Sequence, residues 1–115
     1  RFMTTTYADV ATEQLAATDT TLFTLPGTAD SGHLIYATVA NVSTVAVDIT
    51  VNVVKTGDTA ATTNIYLEAQ TIPSGRSVVL SQLLNVVLKP GDFISAKASA
   101  AASLNFKMGI KEISS

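Results

Sequence analysis

The chain has 115 residues, of which 47% are hydrophobic and 14% charged, with seven basic against nine acidic side chains and a net charge of -2. That is one domain with room for a core of its own, too apolar for intrinsic disorder and well below the roughly 25% charge of ordinary soluble domains. The acidic balance offers nothing to phosphate backbones or anionic membranes, so neither nucleic acid nor membrane is expected as a partner.

Cysteine is absent, which excludes disulfides, thiolate metal sites and cysteine nucleophiles. The apolar runs, at 77–80 and 86–88, fall far short of the ~20 residues that a membrane helix needs. A chain this apolar and sparsely charged tends to self-associate, which points to a subunit that hides surface in an assembly.

Residues 1–19 are rich in Thr and Ala and show no sustained alternation. They read as an extended N-terminal arm ahead of a domain over 20–115, with a frayed terminus as the alternative. The arm's apolar side chains, Phe2, Met3, Tyr7, Val10 and Leu15, are the candidate contacts for a partner, and Leu15 is a possible first anchor.

Beyond the arm, β-branched residues dominate, and these suit a pleated, half-buried surface. Residues 20–25 read as a strand stopped by Pro26-Gly27. Asp30-Ser31-Gly32 leads into a strand over 33–41, with Ile35, Ala37 and Val39 on one face. The clearest segment follows, where Val45, Val47, Ile49, Val51 and Val53 alternate with Ala46, Asp48, Thr50 and Asn52. Period two marks an antiparallel strand with one face in a core. The short link at 41–44 predicts a hairpin between these two strands.

A polar loop opens at Thr56-Gly57-Asp58-Thr59 and runs to Thr63, before a strand over 64–70 and the turn Ile72-Pro73-Ser74-Gly75. Residues 76–80 are short and apolar, and 81–85 suit a single helical turn. Val86 to Leu88 ends at Lys89-Pro90-Gly91-Asp92, and strands over 93–99 and 104–113 close the chain. Between these two, Ala100 to Ala102 is a small-residue link or a helical turn. About eight strands without intervening helices predict an all-β, single antiparallel β-sandwich, jelly-roll-like, with an immunoglobulin-like arrangement next. Its expected core comprises Val47, Ile49, Val51, Ile35, Val39, Ile94, Phe106 and Ile110.

Asp30-Ser31-Gly32-His33 holds the three residue types of a hydrolase triad, but a triad needs separately placed partners, and His33 is the only histidine. The segment reads as a polar turn opening a strand. Nothing in the sequence pairs the nine carboxylates as a glycosidase requires. The histidine and cysteine content excludes an ordinary zinc site, and no calcium loop or Walker pattern is present. A sugar-binding module would want aromatic platforms, and the chain has no Trp and only Tyr7, Tyr36 and Tyr66 beside four Phe. No enzyme activity and no cofactor are expected.

The order of motifs carries a resemblance. Leu22-Phe23-Thr24-Leu25-Pro26, a strand ending at Asn41, the alternating 45–53 strand, Ile72-Pro73-Ser74-Gly75 and Val87-Leu88-Lys89-Pro90-Gly91-Asp92-Phe93-Ile94-Ser95-Ala96 follow one another. Over about 20–113 this resembles small β-sandwich structural proteins of tailed bacteriophages, found as capsid decoration (cement) proteins and as tail or neck accessories. The resemblance implies a non-enzymatic virion protein on the capsid exterior, a homotrimer whose partner is the major capsid protein. The competing readings are a tail, neck or baseplate accessory and, from another class, a sugar-binding adhesin module.

Overall fold

The structure, a computed structural model, describes residues 3–114. Among the described residues there are nine strands: β1 Thr4–Gln14, β2 Thr20–Thr24, β3 Ser31–Asn41, β4 Val47–Val54, β5 Ile65–Ile72, β6 Ser77–Val79, β7 Val87–Leu88, β8 Phe93–Ala98 and β9 Leu104–Ser114. They form two antiparallel sheets. A long sheet runs β1-β9-β3-β6, with β7 also on β3, and a short sheet runs β2-β8-β4-β5. The chain crosses between sheets at most connections and stays in one sheet at the β4–β5 hairpin and between β6 and β7. This winding is a jelly roll, the expected all-β sandwich.

The core lies between the sheets and is built by alternation. Of the expected core residues, Val39, Val47, Ile49, Val51, Ile94, Phe106 and Ile110 are each no more than 2% exposed. Burying such a side chain contributes roughly 1.5–3 kcal/mol relative to leaving it in water. Ile35 is the exception, at 44% exposed. The β3–β9 register shifts between Leu34 and Tyr36, so a bulge reverses the phase and Leu34 takes the inward position. Simple period-two reading cannot see such a reversal.

The hairpin expected from the 41–44 link does not form, because β3 and β4 belong to different sheets. Asn41 makes the corner. Buried at 2% exposure, its Nδ2 donates to the carbonyls of Val45 and Ile72 at 2.9 and 2.8 Å. Its Oδ1 accepts from the Ser43 amide and hydroxyl at 2.9 and 2.7 Å. A fully satisfied carboxamide can sit at this depth, and here it holds the link where the chain changes sheet. Val45 consequently lies outside β4 and is 60% exposed.

Within the segment expected as an arm, Thr4 to Gln14 form a strand paired with β9, and 15–19 lead on to β2 without strand structure. Strand β1 was illegible as alternation because most of it is exposed on both faces, with only Ala8 and Val10 packed against the core. Beyond β1, the Leu15 amide donates to the Leu104 carbonyl, and the Leu15 side chain is 1% exposed.

The turns fall where the sequence puts them. Lys89-Pro90-Gly91-Asp92 closes with the Asp92 amide on the Lys89 carbonyl at 2.9 Å, and Gly91 has φ +86°. Proline then glycine at the central positions is the type II arrangement. The buried Asp92 carboxylate accepts from the Lys89 and Thr56 amides, both at 3.0 Å, tying this turn to the end of β4. The helical turn expected at 81–85 is a single 3-10 turn over Ser81–Leu83. Residues 100–102 form a turn, with Ala102 at φ +58°.

Candidate assembly surface

The tempting triad residues are spread along a strand. Ser31 and His33 lie in the β3–β9 ladder opposite Ile113 and Lys111, while the Asp30 amide donates to the Ile113 carbonyl. Gly32 between them turns to the core, where an added Cβ would stand 2.7 Å from Leu25 Cδ1. Among the described residues no three of His, Cys, Asp and Glu stand together as a metal set.

The outer face of the long sheet presents a different kind of surface. Register places Tyr7, Lys111, His33 and Val87 in one row across β1, β9, β3 and β7. A parallel row brings together Lys107, Thr38 and Val79. Between the rows, the bulge on β3 turns Ile35 outward. Tyr7, Ile35, Val79 and Val87 are between 44% and 69% exposed, a scatter of apolar side chains over one sheet face.

A clamp on this face joins three strands. Asp9 on β1 accepts from Lys107 Nζ of β9 at 2.7 Å and from the Tyr36 hydroxyl of β3. Lys107 also donates to the Val10 carbonyl at 3.2 Å and stands 6.0 Å from the Tyr36 ring centre. The lysine hydrogen bond first, then the tyrosine one, holds the Asp9 carboxyl below its usual 3.8, and the same carboxylate raises Lys107 above 10.5. The Tyr36 ring lies on Gly109, the residue opposite both Tyr36 and Asp9, where an added Cβ would come 2.3 Å from Tyr36 Cε1. Any side chain there would have to displace the ring that covers it.

Of the arm's candidate contacts, Phe2 lies outside the described residues. Met3 and Tyr7 are 72% and 69% exposed. Val10 is half-buried against the core. Leu15 is buried, a core anchor with nothing left to offer a partner, because the chain turns inward after β1. Ile35, expected in the core, is exposed, and so are Val79 and Val87. Apolar residues in short strands read as interior, and no signal in the sequence marks the side on which a sheet stays open.

A shallow groove of about 440 Å³ lies at the far end of β4 and the start of β5, lined by Val53, Lys55, Asp58, Thr63, Asn64, Ile65 and the half-exposed Tyr66. Asn64 is committed to the loop, accepting from Asn52 Nδ2 and the Ala61 amide and donating to the Thr59 carbonyl.

No family model matches the chain, and no curated protein matches it in sequence. Among solved structures it is similar to a protein of Bacillus endospore appendages, described as a novel family of disulfide-linked pili. The identity is 17%, over 98% of this chain and 89% of that one, with a TM-score of 0.57. A chain of the cyanophage Pam1 capsid asymmetric unit is 14% identical over 98% of this chain and 85% of its own, with a TM-score of 0.43. A chain of infectious bursal disease virus, Gx strain, is 14% identical over 98% and 42%, with a TM-score of 0.42. The appendage likeness is one of fold, and the two viral likenesses are too loose for anything to rest on them.

Proposed function

We propose that this chain is a non-enzymatic structural subunit of a bacteriophage virion, a decoration protein that binds the capsid exterior between major capsid proteins. The observation that carries the reading is the open outer face of the long sheet, with Tyr7, Ile35, Val79 and Val87 exposed on a chain only 14% charged. The resemblance of the 87–96 segment to phage decoration proteins supports it, as does the single sandwich. A stable interface needs about 800 Å² from each partner, roughly an eighth of the 6105 Å² that this subunit exposes. A ligand that binds the assembled shell and not the free capsid subunit stabilises the shell by mass action. The appendage subunits are described as disulfide-linked, whereas this chain has no cysteine and so cannot be joined by that link.

A gel of purified virions tests the reading. A band approaching the major capsid protein in abundance supports decoration, a faint one moves the subunit to the tail, neck or baseplate, and none removes it from the virion. The groove beside Tyr66 favours a second reading, a sugar-binding module, which saturable glycan binding by the isolated chain would support.

A further inference from the structure

Four edges close the two sheets, and three are blunted. Strands β6 and β7 are three and two residues long. Strand β2 has five residues with a register shift between Thr21 and Phe23. Strand β5 breaks register twice against β4 and holds Ala69 at φ +47°. Short, bulged or twisted edges are the devices by which sheets avoid pairing with other chains.

Strand β1 uses none of them along its first part. From Thr4 to Val10 it runs in unbroken register against Ser114 to Met108, and its bulge comes only afterwards, between Val10 and Glu13. The run, Thr-Thr-Thr-Tyr-Ala-Asp-Val, holds no proline, glycine or basic residue. Its one charge, Asp9, is already engaged by Lys107 of the same chain. The outward N–H and C=O groups of an edge strand are a ready template for another strand.

We propose that this edge pairs with the same edge of a second copy, antiparallel and centred on Tyr7. The run is seven residues long, so Tyr7 is its midpoint and a twofold axis there uses all of it. Thr4 then meets Val10 of the second copy, Thr5 meets Asp9, Thr6 meets Ala8 and the two Tyr7 rings face each other. Aromatic residues directly opposite stabilise a strand pair, and no like charges are opposed. The contact is isologous and closes at two copies, so it replaces the threefold assembly implied by the phage resemblance. It stands on the edge alone and does not depend on the virion reading.

A chain without native cysteine makes the test direct. Directly opposed residues of an antiparallel pair have Cα atoms about 4.5–5.5 Å apart, within disulfide reach. Tyr7→Cys should therefore give a covalent dimer under mild oxidation. Thr5→Cys should not, since its thiols would lie about 13 Å apart along the paired strands. Val79→Cys, exposed on the opposite edge, serves as the second control. Sedimentation of the unmodified full chain at high micromolar concentration should show a dimer. Equal cross-linking of the three variants, or a monomer or trimer in sedimentation, would overturn the proposal.

Discussion

The two sheets follow the same alternation, yet one end of the short sheet's outer face is covered by the chain's own loop, while the long sheet's outer face has no such cover. On the short sheet the outward positions Asn52 and Ser95 are opposed across β4 and β8, and both are 2% exposed. Val54 is fully buried although it is not part of the main core. The loop after β4 folds back over this end, with Asn52 Nδ2 donating to the Ala61 carbonyl at 2.9 Å and to Asn64 Oδ1 at 2.6 Å. On the long sheet the outward positions Tyr7, Val79 and Val87 have no such cover. A sandwich buries its inner faces by necessity, but an outer face is covered only where a loop of the same chain happens to fold over it.

Substitution by aspartate should separate the two faces most sharply. Val54→Asp places a charge where no partner is provided, which costs about 3 kcal/mol or more and should abolish cooperative thermal unfolding. Val79→Asp sits at 61% exposure and should change stability by no more than about 0.5 kcal/mol, while under the proposed decoration role it should weaken capsid binding. If Val54→Asp melts like the parent, this end of the short sheet is not sealed.

The seal itself is the next target. Asn52→Ala removes the donor to Ala61 and Asn64 and leaves those acceptors at a part-buried site, a loss of about 2 kcal/mol. Amide exchange should accelerate over 56–64 before the rest of the sandwich opens. Uniform acceleration across all strands would mean that the loop has no separate stability.

These contrasts also mark how much the sequence reveals. The Val47–Ile49–Val51 alternation and the proline–glycine turns at 73–75 and 90–91 are local and strong, so the sandwich and most of its core could be read directly. Leu34 takes the inward place and Ile35 the outward one because a bulge depends on the partner strand, β9, whose paired residues Ile110 and Gly109 are distant in sequence. Strand β1 lacked a pattern because its sheet overhangs the core, and alternation records burial, not pairing. Asn41 looked like an ordinary link residue. Its role as a corner depends on the Ile72 carbonyl, 31 positions distant. The open face was the least legible part, since exposure on one side of a sheet is decided by where distant loops go.

On the open face, Gly109 and Tyr36 should behave as one unit. Gly109→Ala drives a methyl into the Tyr36 ring, and the displaced ring should cost about 1–3 kcal/mol. In the Tyr36→Ala background the same change should cost far less, because the obstacle is gone. Contacting residues couple in this way, and additive effects in a double-mutant cycle would show that the ring does not depend on Gly109.

The smallest effect expected is electrostatic and belongs to the same strip. The Asp9 carboxyl titrates below its usual 3.8 because Lys107 and Tyr36 donate to the carboxylate form. A group with a lowered folded value stabilises the fold above its unfolded value, and that contribution disappears as pH falls through the folded one. Lys107 is raised above 10.5 by the same bond, so its contribution is complete at lower pH and is lost as pH rises past the folded value. The clamp therefore holds across the neutral range and fails at both ends, in acid through Asp9 and in strong base through Lys107. Both groups face water, so the effect should be small and weakened by salt. Acidification below the ordinary aspartate range should lower amide protection, measured against the intrinsic exchange rate at the same pH, in β1 more than in β4, which lies in the other sheet. Asp9→Asn should remove that acid-induced difference between the strands, and a difference that survives the substitution would place its cause outside the clamp.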